Sequence, residues 1–163
     1  MIVNILASIL KRQFPDVSNI TTKDLQHVID KSSNPDQLLI IDTRTKTEYE
    51  ISFISGARHL EFPASEDDVQ MFADKNISDE TDTVVCYCSL GYRSSKVAQS
   101  LSKILSKDQR LNIRVYNLEG SIFQWVNEGR VLSSVTGEVT QTCHPFSYMW
   151  GLLALSRDKW RWS

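Results

Sequence analysis

Two residues in the stretch VVCYCSLGYRSS, positions 84–95, have side chains that could act together in catalysis, one as a nucleophile and one as an anion-binding group. Cys88 offers a thiol whose deprotonated form is a strong nucleophile. Arg93 offers a planar guanidinium that can bind an oxyanion through several N–H groups. Gly91 lies between them and lets the chain turn sharply, because glycine tolerates a positive φ. The pattern predicts a loop in which a reactive cysteine meets a bound anion.

The elements on either side of this loop determine how reactive the cysteine is. The apolar run TVVCYC at 83–88 predicts a buried strand, and apolar residues at helical spacing predict a helix over 94–106 capped by Ser94. Cys88 is then the last residue of a strand, close to N–H groups of the loop and of the helix start. Such donors stabilise a thiolate, so we expect a lowered pKa for Cys88. Cys86, in mid-strand, is expected to be a small core residue.

Strands and helices alternate along the rest of the chain. Further buried strands are predicted at 37–42 and 112–118. Helices are predicted at 1–13, after Thr21 and Thr22 through about Lys31, at 45–50, from Ser65 onward and at 121–129. Alternation of this kind predicts an α/β fold with a mostly parallel central sheet flanked by helices on both faces. The predicted units are an N-terminal amphipathic helix at 1–14, a domain at 15–132 and an aromatic-rich C-terminal extension at 133–163.

The loop CSLGYR at 88–93 resembles that of the rhodanese, or sulfurtransferase, family, whose six-residue loop begins with Cys and ends with Arg. Cysteine-dependent phosphatases have Cys-x5-Arg, which is one residue longer. Three other stretches resemble family landmarks and occur in the family's order over about 37–130. They are LIIDTRTKTEYE (strand, Asp-x-Arg, Glu-Tyr), ISGARHL (Gly-Ala) and NLEGSIFQWVNEG (Gly-Gly-x3-Trp-x3-Gly). The expected fold is therefore rhodanese-like.

The resemblance implies a sulfurtransferase in which Cys88 attacks the outer sulfur of a donor such as thiosulfate. Sulfite leaves, and Cys88 holds the sulfur as a persulfide until cyanide or a thiol accepts it. Arg93 would bind the sulfonate oxygens, while the N–H groups of the loop would stabilise the anions of both steps. No metal or organic cofactor is implied beyond the covalent persulfide. The implied substrate-binding residues are Ser89, Leu90, Gly91, Tyr92, Arg93 and Ser94.

Three polar residues outside the loop are expected to support the site. Asp42 is expected to hydrogen-bond backbone groups near the end of its strand and to brace the loop. Arg44 has Glu48 four residues later, so a surface ion pair and a substrate contact explain it equally well. Arg58 is equally open between a surface position and a supporting one.

Departures from the family pattern leave two other functions open. The usual Gly-His-Ile-Pro-Gly-Ala is SFISGA at 52–57, and Glu119 replaces the first glycine of the Gly-Gly pair. One alternative is a rhodanese-like module that binds a partner without catalysis. The other is a cysteine-dependent phosphatase or arsenate reductase, which the short loop disfavours.

The extension at 133–163 adds a third thiol, Cys143, beside His144. If the extension folds over the pocket, Cys143 could accept sulfur from Cys88 or form a disulfide with it. The alternative is an idle thiol in a tail that packs through its large aromatic side chains. These aromatics also suggest contact with a protein partner or self-association through the extension.

Composition and charge limit the partners and the cellular compartments that fit the sequence. A net charge of −2 disfavours a nucleic-acid partner. The three cysteines cannot all form disulfides with one another, which favours a reducing, cytoplasmic setting. A mitochondrial location is the alternative, since no acidic residue precedes Asp16. No apolar run is long enough to span a bilayer, and Ile2, Ile5, Leu6, Ile9 and Leu10 form one apolar face of the predicted N-terminal helix.

Overall fold

The computed structural model describes residues 2–162; Met1 and Ser163, the outermost residues of the predicted segments 1–14 and 133–163, lie outside the described residues. Helices and strands alternate along most of the described chain. The helices are α1 (Ile2–Gln13), α2 (Thr22–Lys31), α3 (Lys46–Ile51), α4 (Glu66–Asn76), α5 (Tyr92–Lys107), α6 (Ser121–Asn127) and α7 (Tyr148–Ala154). The strands are β1 (Ser18–Ile20), β2 (Leu38–Asp42), β3 (Arg58–His59), β4 (Thr83–Tyr87), β5 (Arg114–Leu118), β6 (Leu132–Ser133) and β7 (Val139–Thr140).

Five of the strands form one sheet in the order β1-β5-β4-β2-β3, and every neighbouring pair in it is parallel. Strand β4 is central, and its Cys86 pairs with Ile41 of β2 and Asn117 of β5. Strands β6 and β7 form a separate antiparallel pair. The predicted α/β fold with a mostly parallel central sheet is confirmed.

Alternate residues of the buried strands face two apolar cores, one on each side of the sheet. Val85 of β4 packs in the first core with Phe123 of α6. Val84 and Cys86 pack in the second core with Leu101 of α5. Because both faces of the sheet are covered, both sets of strand residues are apolar, which explains the continuous apolar runs in the sequence. Cys86 is a buried core residue as expected, and burial raises its pKa to about 12.

The predicted strands at 37–42, 83–88 and 112–118 are β2, β4 and β5, each shorter by one or two residues. Strands β1 and β3 were not predicted from periodicity, because two or three residues are too few to show a periodic pattern. The helix expected from Ser94 begins at Tyr92 instead. Its N-cap is Gly91, with a φ of 117°, so the predicted capping role of Ser94 is wrong.

Helix α1 forms as predicted, and its apolar face is only partly covered by the rest of the protein. Val3 and Ala7 are its buried residues, and Leu10 is partly buried against the second core. Ile5 and Ile9, which were expected to share a face with Leu10, are each 53% exposed. The helix therefore leaves part of its apolar surface uncovered.

At the end of β2, Asp42 and Arg44 form a buried ion pair, with Arg44 Nη2 and Asp42 Oδ2 2.6 Å apart. Arg44 also donates to the carbonyl of Ser52, and Tyr87 Oη donates to Asp42 Oδ2 at 2.6 Å. Both charged side chains are fully buried. Of the two alternatives left open for Arg44, the surface ion pair with Glu48 is therefore wrong, since Arg44 turns back to the carboxylate two residues before it. Asp42 also accepts from the Arg44 amide at 3.0 Å, in line with its expected backbone contact.

Replacement of Arg44 by Ala leaves the Asp42 carboxylate buried without its cation. We expect Arg44→Ala to lower the free energy of unfolding by about 3–5 kcal/mol in urea denaturation. The matched control is Lys46→Ala, which breaks the exposed Lys46–Glu50 pair and should cost at most about 1 kcal/mol. Equal losses in the two variants would contradict a structural role for the buried pair.

Candidate active site

Cys88 lies immediately after β4, at the carboxyl edge of the parallel sheet, and the loop from Cys88 to Gly91 leads directly into α5. In open α/β sheets this edge is where strand ends and helix starts combine to form binding sites. The position agrees with that predicted from the sequence, apart from a strand that ends one residue earlier.

The start of α6 holds the loop from one side. The carbonyls of Cys88 and Ser89 accept hydrogen bonds from the amides of Ile122 and Phe123 at 3.1 and 3.3 Å. The Cys88 amide donates to Ser121 Oγ at 3.2 Å. Because α6 binds these two carbonyls, the loop has a fixed backbone orientation before any ligand arrives.

The loop also has N–H groups that its own backbone does not use, one of which binds the thiol. The Gly91 amide donates to Cys88 Sγ at 3.0 Å. The amides of Ser89 and Leu90 have no hydrogen-bond partner among residues 2–162. The amides of Tyr92, Arg93 and Ser94 are the first three of α5 and lie too early in the helix for an intrahelical acceptor. The loop thus offers several N–H donors for a negatively charged group.

Opposing effects act on the Cys88 thiol, which is only 2% exposed. Burial alone would raise its pKa. The positive charge of Arg93, together with hydrogen bonds from Ser94 and Gly91, outweighs burial, so the pKa of Cys88 is lowered from its ordinary value. The same side chain in mid-strand, at Cys86, has only the burial effect and the opposite shift. The loop is therefore an environment that favours a thiolate.

Arg93 forms a two-point ion pair with Glu48 of α3. Its Nη1 and Nη2 donate to Glu48 Oε2 and Oε1 at 2.8 and 2.9 Å. Ser89 Oγ donates to the same carboxylate at 2.8 Å and accepts from Arg93 Nη2 at 2.9 Å. Burial of Glu48 acts to raise its pKa, but the hydrogen bonds and charge of Arg93, together with Arg44 and Thr45, lower it to about 2. Glu48 is thus ionised and neutralises much of the Arg93 charge.

Other predicted site residues lie around the loop with separate contacts. Ser94 Oγ donates to Asn117 Oδ1 at 2.6 Å and to the Gly91 carbonyl at 3.2 Å, so it joins the loop to β5. Tyr92 is exposed and meets Phe14 edge to face, with ring centroids 5.8 Å apart. Leu90 packs against the first core.

Arg58, one of the three supporting candidates, lies on the edge strand β3 and is exposed. No hydrogen bond or ion pair within residues 2–162 joins it to the loop. Of the supporting candidates, the structure brings Asp42 and Arg44 together beneath the site and leaves Arg58 apart from it.

The C-terminal extension supplies an outer wall of the site. The Phe146 ring lies over the guanidinium of Arg93, 4.8 Å from its centroid to Arg93 Cζ. Phe146 has a φ of 64°, and its amide donates to His144 Nδ1 at 3.0 Å. Burial, with the nearby charges of Arg44 and Arg93, lowers the pKa of His144 despite the opposing effect of Glu48. Cys143 is a free, buried thiol whose pKa burial raises to about 12.

Three residues that shape the site were not among those predicted. Glu48 belongs to the Glu-Tyr stretch noted in the sequence, and its spacing from Thr45 forms a capping box at the start of α3. Ser121 follows Gly120 at the start of α6, where a polar side chain can bond to a neighbouring backbone group. Phe146 lies far along the chain in the extension, and no local pattern links it to Arg93.

The lowered pKa of Glu48 predicts a pH-dependent contribution to stability. Since its folded pKa lies near 2, below the ordinary 4.5, the contribution is present above pH 4.5 and is lost as the pH falls toward 2. We expect the native chain to lose roughly 2 kcal/mol of unfolding free energy from this group between pH 6 and pH 3. Glu48→Gln should be less stable at neutral pH and lack this component, measured by urea denaturation across the range. Parallel pH profiles for the two proteins would contradict the assignment.

Within residues 2–162, no group of three or more His, Cys, Asp and Glu side chains is arranged to hold a metal ion. No helix in that range is long and apolar enough to cross a membrane.

Several solved structures share this fold at low sequence identity. The As-Sb reductase from Leishmania major superposes with a TM-score of 0.64 at 16% identity, covering 76% of this chain and 92% of that one. The thiosulfate sulfurtransferase from Pseudomonas aeruginosa gives a TM-score of 0.57 at 17% identity, covering 93% of this chain but 26% of that one. The rhodanese-like domain of an Anabaena sp. protein gives 0.55 at 16% identity, covering 72% and 79%. At these identities the likeness shows the fold alone.

Comparison of the sequence with curated proteins and with family models identifies the family of the chain. No curated protein matches the chain. The family model of the rhodanese-like domain matches residues 22–128, about two thirds of the sequence, and this match includes Glu48 and the whole loop from Cys88 to Arg93. The resemblance seen in the sequence is confirmed: the chain belongs to the rhodanese-like domain family.

Proposed function

We propose that the protein is a sulfurtransferase that carries sulfane sulfur on Cys88. The observation that carries the proposal is the environment of Cys88 Sγ, which accepts from the Gly91 amide at 3.0 Å within a loop that offers further N–H groups. A thiolate and a persulfide are both anions, so the same donors serve the resting and the loaded cysteine. A module that only binds a partner would have no use for a cysteine whose pKa is lowered in this way.

In the first step the Cys88 thiolate attacks the outer sulfur of a thiosulfate-type donor. A bond forms between Cys88 Sγ and that sulfur, and the bond from it to the sulfonate sulfur breaks. The bonding pair leaves with sulfite, and Cys88 becomes a negatively charged persulfide. In the second step cyanide or an acceptor thiolate attacks the terminal sulfur, which restores the Cys88 thiolate and releases thiocyanate or a persulfide. Neither step calls for a metal or an organic cofactor.

The ion pair with Glu48 changes the role expected for Arg93. Two of its terminal N–H groups are already bound to Glu48, so the guanidinium does not present its full fork of donors to a sulfonate. Its charge still acts on the thiolate, whose pKa it lowers. We therefore assign most of the contact with the donor's oxygens to the loop amides, with Arg93 as a fixed positive charge beside them.

The proposed partners are a small sulfur donor and a thiol or cyanide acceptor. Cys86, Cys88 and Cys143 are all free thiols. A cysteine that must remain reduced between turnovers suits a reducing compartment, and the cytoplasm is the proposed location, with the mitochondrion as the alternative. The extension 133–163 is proposed as a wall of the substrate site rather than as a source of a second reactive thiol, because a thiol with a pKa near 12 is rarely ionised.

Incubation with thiosulfate in the absence of reductant should add one sulfur atom to the native chain, detected by intact mass spectrometry. The added sulfur should be released by cyanide as thiocyanate. Cys88→Ala should show no addition, because it lacks the nucleophile.

The matched controls are Cys86→Ala and Cys143→Ala, each of which removes another buried thiol. Both should take up sulfur and transfer it to cyanide like the native chain. Failure of the native chain to gain sulfur would reject the proposal. Hydrolysis of an aryl phosphate without any sulfur uptake would favour phosphatase chemistry instead, and loss of turnover in Cys143→Ala alone would restore a relay role for that thiol.

Removal of the Phe146 ring should widen access to the loop, because that ring covers the guanidinium of Arg93. For Phe146→Ala we expect kcat/KM for an aryl thiosulfonate to rise relative to that for thiosulfate by roughly tenfold, as measured by thiocyanate release. Phe146→Tyr keeps the ring and should leave the ratio of the two rates near that of the native chain. An unchanged ratio in Phe146→Ala would show that the ring does not limit donor size.

A further inference from the structure

Helices α1 and α7 expose a concentrated apolar surface that the proposed sulfur chemistry does not use. Among the described residues, fourteen large hydrophobic side chains are exposed, and six of them lie on these two helices. We call this set the α1–α7 surface; its residues are 53–61% exposed and are Ile5, Ile9, Tyr148, Met149, Leu152 and Leu153. Phe146 and Trp162, also exposed, flank it in sequence.

The two helices are neighbours, and each has a clear inner and outer side. α1 packs beside α7. α7 buries Gly151 and Ala154, and a Cβ at Gly151 would come within 2.6 Å of the Trp160 ring, so the inner side of α7 is fixed against the body of the protein. Its residues 148, 149, 152 and 153 share the opposite side by helical spacing. The six side chains of the α1–α7 surface therefore lie away from the buried residues of their own helices.

Charge around this surface differs from that of the rest of the chain. The segments 2–14 and 144–162 contain five Lys and Arg residues but only one acidic residue, a net charge of +4. The whole chain has a net charge of −2, so the remainder carries −6. Within residues 2–162, Arg12, Arg157 and Arg161 form no ion pair with a carboxylate, whereas Lys11 pairs with Glu119 at 2.8 Å. The two segments that carry the apolar surface are thus cationic on an otherwise acidic protein.

We infer that the α1–α7 surface docks on an anionic lipid surface, with the helices lying in the plane of the membrane. Exposed Leu, Ile, Met and aromatic side chains next to Lys and Arg are the combination that binds at the headgroup boundary. The cations add attraction to negatively charged lipids. A second copy of the chain fits less well, because a two-fold interface would place the same +4 segments against each other. Nothing in this binding requires a helix to cross the bilayer.

Sedimentation with sonicated vesicles tests the inference on the full-length chain. We expect binding to phosphatidylcholine vesicles that contain about 30% phosphatidylserine, weaker binding to pure phosphatidylcholine, and a decrease at high salt. The double variant Leu152→Ser/Leu153→Ser should reduce the partition coefficient by about tenfold or more, since it removes two exposed anchors. Arg12→Glu/Arg161→Glu should reduce binding to the anionic vesicles selectively.

The matched control is Met71→Ser/Leu111→Ser, which removes two even more exposed hydrophobic side chains outside the α1–α7 surface and should bind like the native chain. Circular dichroism and sulfur uptake, expected to be unchanged in all three variants, verify that each is folded. The inference is overturned if the native chain does not bind anionic vesicles, or if Leu152→Ser/Leu153→Ser binds as tightly as the native chain. A dimer in light scattering that this variant converts to a monomer would also overturn it, by assigning the surface to self-association.

Discussion

The ion pair between Arg93 and Glu48 is the interaction on which the candidate site depends. A thiolate within a protein interior needs positive charge and N–H donors close to it, since burial alone favours the neutral thiol. Arg93 supplies that charge but is itself largely buried, and a buried guanidinium needs its own counterion. Glu48 fills this role, and hydrogen bonds from Thr45 and Ser89 satisfy its remaining acceptor capacity. The carboxylate of Glu48 thus compensates the charge of Arg93, and Arg93 compensates the charge of the Cys88 thiolate.

A second set of contacts fixes the loop from the opposite side. Ser94 binds Asn117 of β5, whose amide donates to Asn19 at 3.0 Å, and α6 binds the carbonyls at the start of the loop. The loop is consequently held by elements that are widely separated in the chain. An arrangement held at so many points can present its N–H groups to an anion without reorganisation, which is the condition for strong electrostatic stabilisation.

The sequence was sufficient to predict the parts of the site that depend on local patterns. The buried strand, the glycine turn and the amphipathic helix after it predicted the position of Cys88 correctly. Each of them is recognised from a short stretch of sequence, either by its apolar pattern or by the glycine itself. The partner of Glu48 could not be predicted in this way. Spacing of four residues left Arg44 open as a partner of Glu48, but Arg44 lies after a strand end rather than within a helix, and it turns back to Asp42. The pair that forms instead joins residues 45 positions apart, a separation that only the folded topology reveals.

The predicted apolar face of α1 is present, and polar residues such as Asn4, Ser8 and Lys11 lie on the opposite side of the helix. Periodicity alone does not say how much of an apolar face the rest of the protein covers. Val3 and Ala7 are the buried residues of α1, and Val3 packs so close to Gly120 that a Cβ there would come within 3.0 Å of it. The larger Ile5 and Ile9 remain outside. The elements that pack against α1 therefore determine how much of its apolar face is buried.

The outer wall of the site lies outside the family domain, whereas the base of the site lies within it. The loop, Glu48 and the start of α6 all lie within the part of the chain that matches the family, residues 22–128, whereas Phe146 lies beyond it. A phenylalanine at a φ of 64° is in a backbone conformation that L-residues adopt at a cost. Its stacking on Arg93 and its hydrogen bond to His144 offset that cost and hold the ring over the charge at the centre of the site. Under the proposed function, the family fold supplies the nucleophile and its anion-binding loop, and the extension that follows the domain controls which molecules reach them.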